Sequence, residues 1–268
     1  MSTSSECALI QSKLLTELNN LRSDPQSYIS ILENDKTYFN NNILYRPNQQ
    51  PIQTYEGISI YDEAISFLNS QSALNNKLQQ SSHLNKAAKD LVNCIGPRGL
   101  VTHEDSDGNF VSERVDKYIE WSEYCSECIV LGARNAQDVV VDLIVDDGVQ
   151  GREHRNSLFD ERAKFVGVSS GYHKEYGIVT VLVFTGMLRE KGTVYFDYSN
   201  YKYQYPESNK KKKIVNEYQV DDKDAPDNAI SVTIEKSKKE YNGKTIIVTK
   251  KKYKLDNGSE HIVEVEEF

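Results

Sequence analysis

Residues 138–186, DVVVDLIVDDGVQGREHRNSLFDERAKFVGVSSGYHKEYGIVTVLVFTG, constrain the fold more than any other stretch. An apolar run of helix length, 139–145, ends in Asp146, Asp147 and Gly148. A polar loop follows, carrying His154 and Arg155. Two runs rich in β-branched and aromatic residues, 165–170 and 178–185, predict a hairpin whose turn contains Gly171 and Gly177. Helix, polar loop and hairpin form one unit. Any chemistry is expected where the carboxylates and the imidazole of the loop meet the sheet.

A chain of 268 residues is long enough to bury a core without disulfides or a structural metal. Its net charge of −8 argues against nucleic acid as a partner, because phosphate binding wants a basic face. The lysine runs 210–213 and 250–252 read as solvated loops and strand ends. The first residues lack a basic start, a long apolar segment and a small-residue cleavage site, so no leader is expected. No run approaches the roughly 18 apolar residues of a membrane span. The four cysteines, Cys7, Cys94, Cys125 and Cys128, are then expected as reduced thiols in an intracellular protein.

Helices are predicted over 6–33 in one or two pieces, with Asp24 as a cap and Pro25 in a first turn. Residues 34–57 read as a long loop rich in Asn, Gln and Pro. Further helices are predicted over 60–75, 82–95 and 110–119, and from about 135 or 138 to 146. Gly96-Pro97 ends one of them. The segment HEDSDGN has a superficial likeness to a calcium loop, but lacks the ligand spacing and final Glu, and reads as a solvated turn. Residues 188–228 are rich in Tyr, Asn and Lys and read as a linker or arm. Residues 229–268 predict a β-meander of three strands, with Asn242-Gly243 and Asn257-Gly258 as its turns. Trp121 is expected in the core, and no role is assigned to His83, His173 or His261.

Several segments resemble the CAP superfamily, whose domain is also called SCP: LLTELNNLRSDPQSY, LNKAAKDLVNCIGPRGLVTHEDSDG, SECIV, DDGVQGREHRNSLFDERAKFVGV and the closing VLVFTG. The resemblance runs over about residues 9–187. It implies an α+β fold, an α-β-α sandwich with a small antiparallel sheet over 6–187, which the C-terminal β-meander follows. It also implies a cleft lined by two histidines and two acids: His103, Glu127, His154, and either Asp146 or Asp147. Glu127 has Ser126 and Cys128 where the family has Gly and Asn, and most relatives are secreted and disulfide-bonded.

Such a set has the right ligand types for Zn²⁺, with His103, His154 and Glu127 as the metal ligands, and could equally work as acid and base around a water. Alternatively, the imidazoles simply hydrogen-bond to carboxylates and hold loops together. No Ser or Cys nucleophile with an assigned base emerges, and Cys125-Ser-Glu-Cys128 lacks the second pair that zinc would need. The expected function is therefore a non-enzymatic intracellular CAP-type binding or interaction protein. The alternatives are a metal-dependent hydrolase and a sterol or fatty-acid binding module. The partner is expected to be a protein docked through the C-terminal arm by Tyr195, Phe196, Tyr198, Tyr201, Tyr203 and Tyr205. Asn-, Lys- and Tyr-rich chains of this kind resemble those of ciliated single-celled eukaryotes, which implies a cytoskeletal or axonemal assembly.

Overall fold

The computed structural model describes residues 3–47, 49–191, 194–197, 213–215, 218–220, 229–241, 244–255 and 259–267. The chain divides into two compact units, Met1–Arg189 and Glu190–Phe268.

Helix α1 (Thr3–Ser23) opens the first unit, and Leu14, Leu18 and Leu21 on one face are fully buried. A 3₁₀ turn, Pro25–Tyr28, leads into α2 (Ile29–Lys36). Asp24 precedes the turn, but its side chain makes no cap hydrogen bond. The segment expected as a loop contains a small sheet of β1 (Phe39–Asn40), β2 (Ile43–Leu44) and β3 (Ile52–Gln53). Helix α3 (Ser59–Ser70) ends five residues before the predicted 75, where Gln71 turns extended. Strand β4 (Gln79–Gln80) precedes α4 (Ser82–Ile95), whose cap Ser81 accepts the Leu84 N–H. Then come α5 (Val111–Asp116), β5 (Glu120–Leu131), α6 (Ala136–Val145), α7 (Glu153–Phe159), β6 (Phe165–His173) and β7 (Gly177–Arg189).

These form an α+β sandwich. The central sheet has the order β4-β6-β7-β5, antiparallel except for the short parallel pairing of β4 with β6. Side chains alternate across a strand, so β7 feeds two cores. Ile178, Leu182 and Phe184 pack on one face with α1, α2, α3 and α6. Val179, Val181 and Val183 pack on the other with α4 and Val115 of α5. Trp121 is partly buried against this second core.

The hairpin is longer than predicted. Gly171 lies inside β6, paired with Val179, and the turn begins only after His173. A Cβ at Gly171 would meet Val92 Cγ1 at 2.5 Å, so its glycine serves the close approach of α4 rather than a turn. Gly167 is tighter still: a Cβ there would meet the Leu84 backbone carbon at 2.1 Å. The N-terminal turn of α4 therefore lies directly on β6, where Asn85 Oδ1 accepts the Val168 N–H at 2.8 Å.

In the second unit, β8 (Val194–Asp197), β11 (Ala229–Tyr241), β12 (Lys244–Leu255) and β13 (Glu260–Glu267) form an antiparallel sheet in the order β13-β12-β11-β8. The short pair β9 (Lys213–Val215) and β10 (Tyr218–Val220) forms a separate two-stranded ribbon. The three predicted strands are present as β11, β12 and β13. The segment read as a linker adds β8 as a fourth, which contains Tyr195 and Phe196. Tyr198, Tyr201, Tyr203, Tyr205 and the turns Asn242-Gly243 and Asn257-Gly258 lie outside the described residues. Among the described residues, no helix is long and apolar enough to cross a membrane.

Candidate functional site

Strand β5 and the termini of three helices bring the polar residues together. The chain leaves α4 through Gly96 and reaches His103 in the loop before α5. Asp105 shapes this loop: its Oδ1 accepts the N–H groups of Asp107 and Asn109, both at 2.9 Å. Burial opposes ionisation of Asp105, but these bonds, the Asn109 amide and Lys117 outweigh it and hold the carboxyl at about 2. HEDSDGN is thus a self-bonded turn.

Glu127 shares a face of β5 with Cys125 and Ile129, the face toward α4 and α5. Its side chain is 2% exposed and lies between two partners. One oxygen meets His103 Nδ1 at 2.8 Å, and the other accepts a close hydrogen bond from Arg114 Nη2. Arg114 is fully buried in α5, and its Nη1 also donates to the carbonyls of His103 and Asn109 at 2.9 and 2.8 Å.

The second imidazole is held differently. Helix α6 ends at Asp146, which takes a left-handed conformation with φ 55°. That turn aims its carboxylate at the start of α7. Oδ1 meets His154 Nδ1 at 2.8 Å, and Oδ2 accepts the N–H groups of His154 and Arg155 at 3.0 and 3.1 Å. These are donors a helix start leaves unpaired, and the helix dipole favours an anion there. Asp147 faces elsewhere, accepting the N–H groups of Tyr55 and Glu56 at 2.8 and 2.9 Å. Of the two adjacent acids, Asp146 is the one joined to the imidazole.

An arginine clamp secures this loop. Arg152 pairs with both Glu56 and Glu63, and Arg155 joins Glu63 to the carbonyls of Ile144 and Val145. Hydrogen bonding to Arg152, opposed by some burial and helped by Arg155, holds the Glu63 carboxyl at about 2.

The two imidazole rings stand 6.5 Å apart, centroid to centroid, inclined by 34°. They line a cleft of about 360 Å³ together with Phe110, Val111, Ser126, Glu127, Glu153 and Ser157. Each ring spends Nδ1 on a carboxylate, so Nε2 is the nitrogen left for a ligand. Glu127 and Asp146 stand behind the imidazoles as their partners, with their oxygens already engaged. Among the described residues, no three His, Cys, Asp or Glu side chains form a cluster able to hold a metal ion.

Sequence reasoning missed Arg114 and Glu153. Arg114 was invisible because its partner is 13 residues away across a helix–strand contact. Glu153 directly precedes His154 at the start of α7, and its exposed carboxylate makes no hydrogen bond or ion pair among the described residues. The cysteines of the C-x-x-C pair lie in β5, and their odd spacing sends them to opposite faces: Cys125 packs in the α4 core and Cys128 in the α1 core. Burial, with Glu127 nearby, pushes the Cys125 thiol up to about 12, and burial raises Cys128 further. Neither thiol suits nucleophilic chemistry. Neither imidazole hydrogen-bonds to Ser126 or Ser157 among the described residues; Ser157 Oγ donates to the Glu153 carbonyl.

No family model matches the chain, and no curated protein does. Two solved structures are similar to about half of it. One is an outer surface protein from Borrelia burgdorferi, at 22% identity and TM-score 0.36, over 52% of this chain and 97% of that one. The other is an extracellular protein containing a SCP domain from Bacillus anthracis str. Ames, at 14% identity and TM-score 0.33, over 49% of this chain and 42% of that one.

Proposed function

We propose that this protein is a non-enzymatic binding protein on a CAP-like scaffold, and that its cleft seats a divalent cation of the zinc type between His103 and His154. One observation carries the reading: both Nδ1 atoms lie 2.8 Å from buried carboxylates. A carboxylate accepts, so each neutral ring places its proton on Nδ1 and turns a bare Nε2 lone pair outward. The rings, now 6.5 Å apart, would draw together by about 1 Å to give such an ion two bonds of about 2.1 Å at a tetrahedral angle. The seat supplies two protein ligands and leaves the remaining positions to water or to a group from a partner. The unpaired Glu153 carboxylate makes the cleft more favourable to a cation.

The other expected readings draw less support. A metal-dependent hydrolase would need a free acid beside the ion, whereas Glu127 and Asp146 have their oxygens engaged by His103, Arg114, His154 and the N–H groups of His154 and Arg155. A sterol or fatty acid would need a larger apolar lining than Phe110 and Val111 provide among two imidazoles, two serines and two glutamates. Zinc titration by calorimetry tests the proposal, with the His103→Ala/His154→Ala variant beside the parent. Binding by the parent that is lost in a folded variant is the expected result. No heat from the parent would sink it.

The sheet of the second unit favours a protein partner as well. Its order leaves the eight-residue β13 at an edge, with one side of its ladder unpaired within that sheet. Such an edge is a template for strand addition. Capture experiments with the full chain should use β13 carrying Val263→Pro as the control, and cytoskeletal and axonemal proteins as the population screened. Capture undiminished by the proline would remove β13 as the docking edge.

A further inference from the structure

We propose that Arg114 is a positioning residue that sets the ring tautomer of His103. The inference rests on the cation reading of the cleft only for its consequence, since the tautomer exists with or without a metal. His103 is 46% exposed at its side chain, yet its orientation is set from the interior. Behind it lies Glu127 at 2% exposure, and behind Glu127 lies Arg114 at 0%. The guanidinium acts on His103 by two routes. Through Nη2 it holds the Glu127 carboxylate, whose other oxygen meets His103 Nδ1. Through Nη1 it holds the backbone carbonyl of His103 itself at 2.9 Å. One buried cation therefore fixes both the backbone and the ring of the same exposed residue.

Stability alone does not account for this arrangement. Taking two charges out of water is costly, and a buried pair replaced by apolar groups of similar volume often leaves a protein equally stable. Val115, the next residue of α5, belongs to an apolar core. What an apolar replacement would not supply is a charged partner for Glu127. A carboxylate held by a guanidinium remains an acceptor, and an acceptor at Nδ1 places the proton there. Without Arg114, nothing holds the second oxygen of Glu127 or the carbonyl of His103 in place, and Nδ1 loses its fixed acceptor. The ring proton then moves to Nε2, and the lone pair facing the cleft is lost.

The site contains its own control. Asp146 is held by two backbone N–H groups at the start of α7, so the His154 half does not depend on Arg114. The experiment is a long-range ¹H–¹⁵N spectrum of the imidazoles at about pH 8, where histidines are mostly neutral, in the parent, Arg114→Met and Arg114→Lys. In the parent, both His103 and His154 are expected with the proton on Nδ1. In Arg114→Met, His103 should shift toward the Nε2–H form while His154 is unchanged, and Arg114→Lys should restore much of the parent pattern. A folded Arg114→Met protein with His103 unchanged would overturn the proposal. If circular dichroism shows that Arg114→Met does not fold, Glu127→Gln is read the same way, and an unchanged His103 there overturns it equally. Zinc affinity, where the parent binds it, should fall about 10- to 100-fold in Arg114→Met, the usual effect of removing a partner behind a ligand. Failure of the parent to bind zinc would refute the cation reading and leave the tautomer result standing.

Discussion

At the scale of single residues, charges are placed by their partners more than by their own chemistry. Asp142 shows this outside the cleft. Arg46 is shared among Asp35 at 2.8 Å, Asp142 at 3.2 Å and the Tyr61 hydroxyl at 3.2 Å, while Asp138 is held by Gln49 and Asn135. One guanidinium faces three carboxylates. Burial raises Asp142 most, Arg46 pulls it back and Asp138 pushes it further up, to about 6 from 3.8. A folded acid with a raised value binds more protons than the unfolded chain between 3.8 and about 6, so this group's contribution to stability falls as pH rises through that window. Urea unfolding should show Asp142→Asn gaining on the parent from pH 4 to pH 6 and holding a constant difference above it. A flat difference across the window would refute the assignment. The same lesson separates Asp146 from Asp147. In the sequence they are identical neighbours. The left-handed turn at Asp146, compatible with Asp as with few other non-glycine residues, sends one to the imidazole and the other to the loop before α3.

At the scale of elements, strand periodicity and close packing explain where local reading succeeded and failed. Helix α6 was legible because an apolar run and a cap coincide: Asn135 accepts the Asp138 N–H at 2.9 Å. The hairpin was legible from its β-branched residues, but its length was not, because glycine signals turns in most settings. Gly171 and Gly167 instead answer to α4 on the other side of the strand. At Gly167 the obstacle is backbone, which cannot rotate away. Gly167→Ala is therefore expected to cost about 3 kcal/mol or more, at the upper end of overpacking effects, measured by thermal or urea unfolding. A loss below about 1 kcal/mol would mean that α4 shifts off the strand at little cost. A C-x-x-C pair at a helix start would bring two thiols together, whereas odd spacing along β5 parts them into separate cores.

At the scale of the whole molecule, the two cores of the first unit share β7, and this couples them. Leu182 and Phe184 belong to one core, and Val181 and Val183 to the other, on adjacent residues of one strand. Leu182→Ala should destabilise the unit by about 2–5 kcal/mol. It should also weaken hydrogen-exchange protection in α4, although α4 packs on the opposite face. Protection lost only in α1 and α6 would show that the two layers open independently. The candidate site depends on the same sandwich, since β5 supplies Glu127, α5 supplies Arg114, and α6 and α7 supply Asp146 and His154.

By itself, the sequence determined whatever neighbouring residues encode: the helices other than α7, which reads as a polar loop, the hairpin, the meander strands, and the identity of the two histidines and the acids near them. Those signals are short-ranged, because propensity, capping and periodicity act within a few residues. Tertiary structure alone decided the pairings. His103 meets Glu127 across 24 residues, Arg114 meets Glu127 from another element, and Arg155 reaches Glu63 across 92. Such partners are chosen by which faces the packed layers bring together and by the high cost of leaving a buried charge unpaired. That cost appears only once a core exists to bury it.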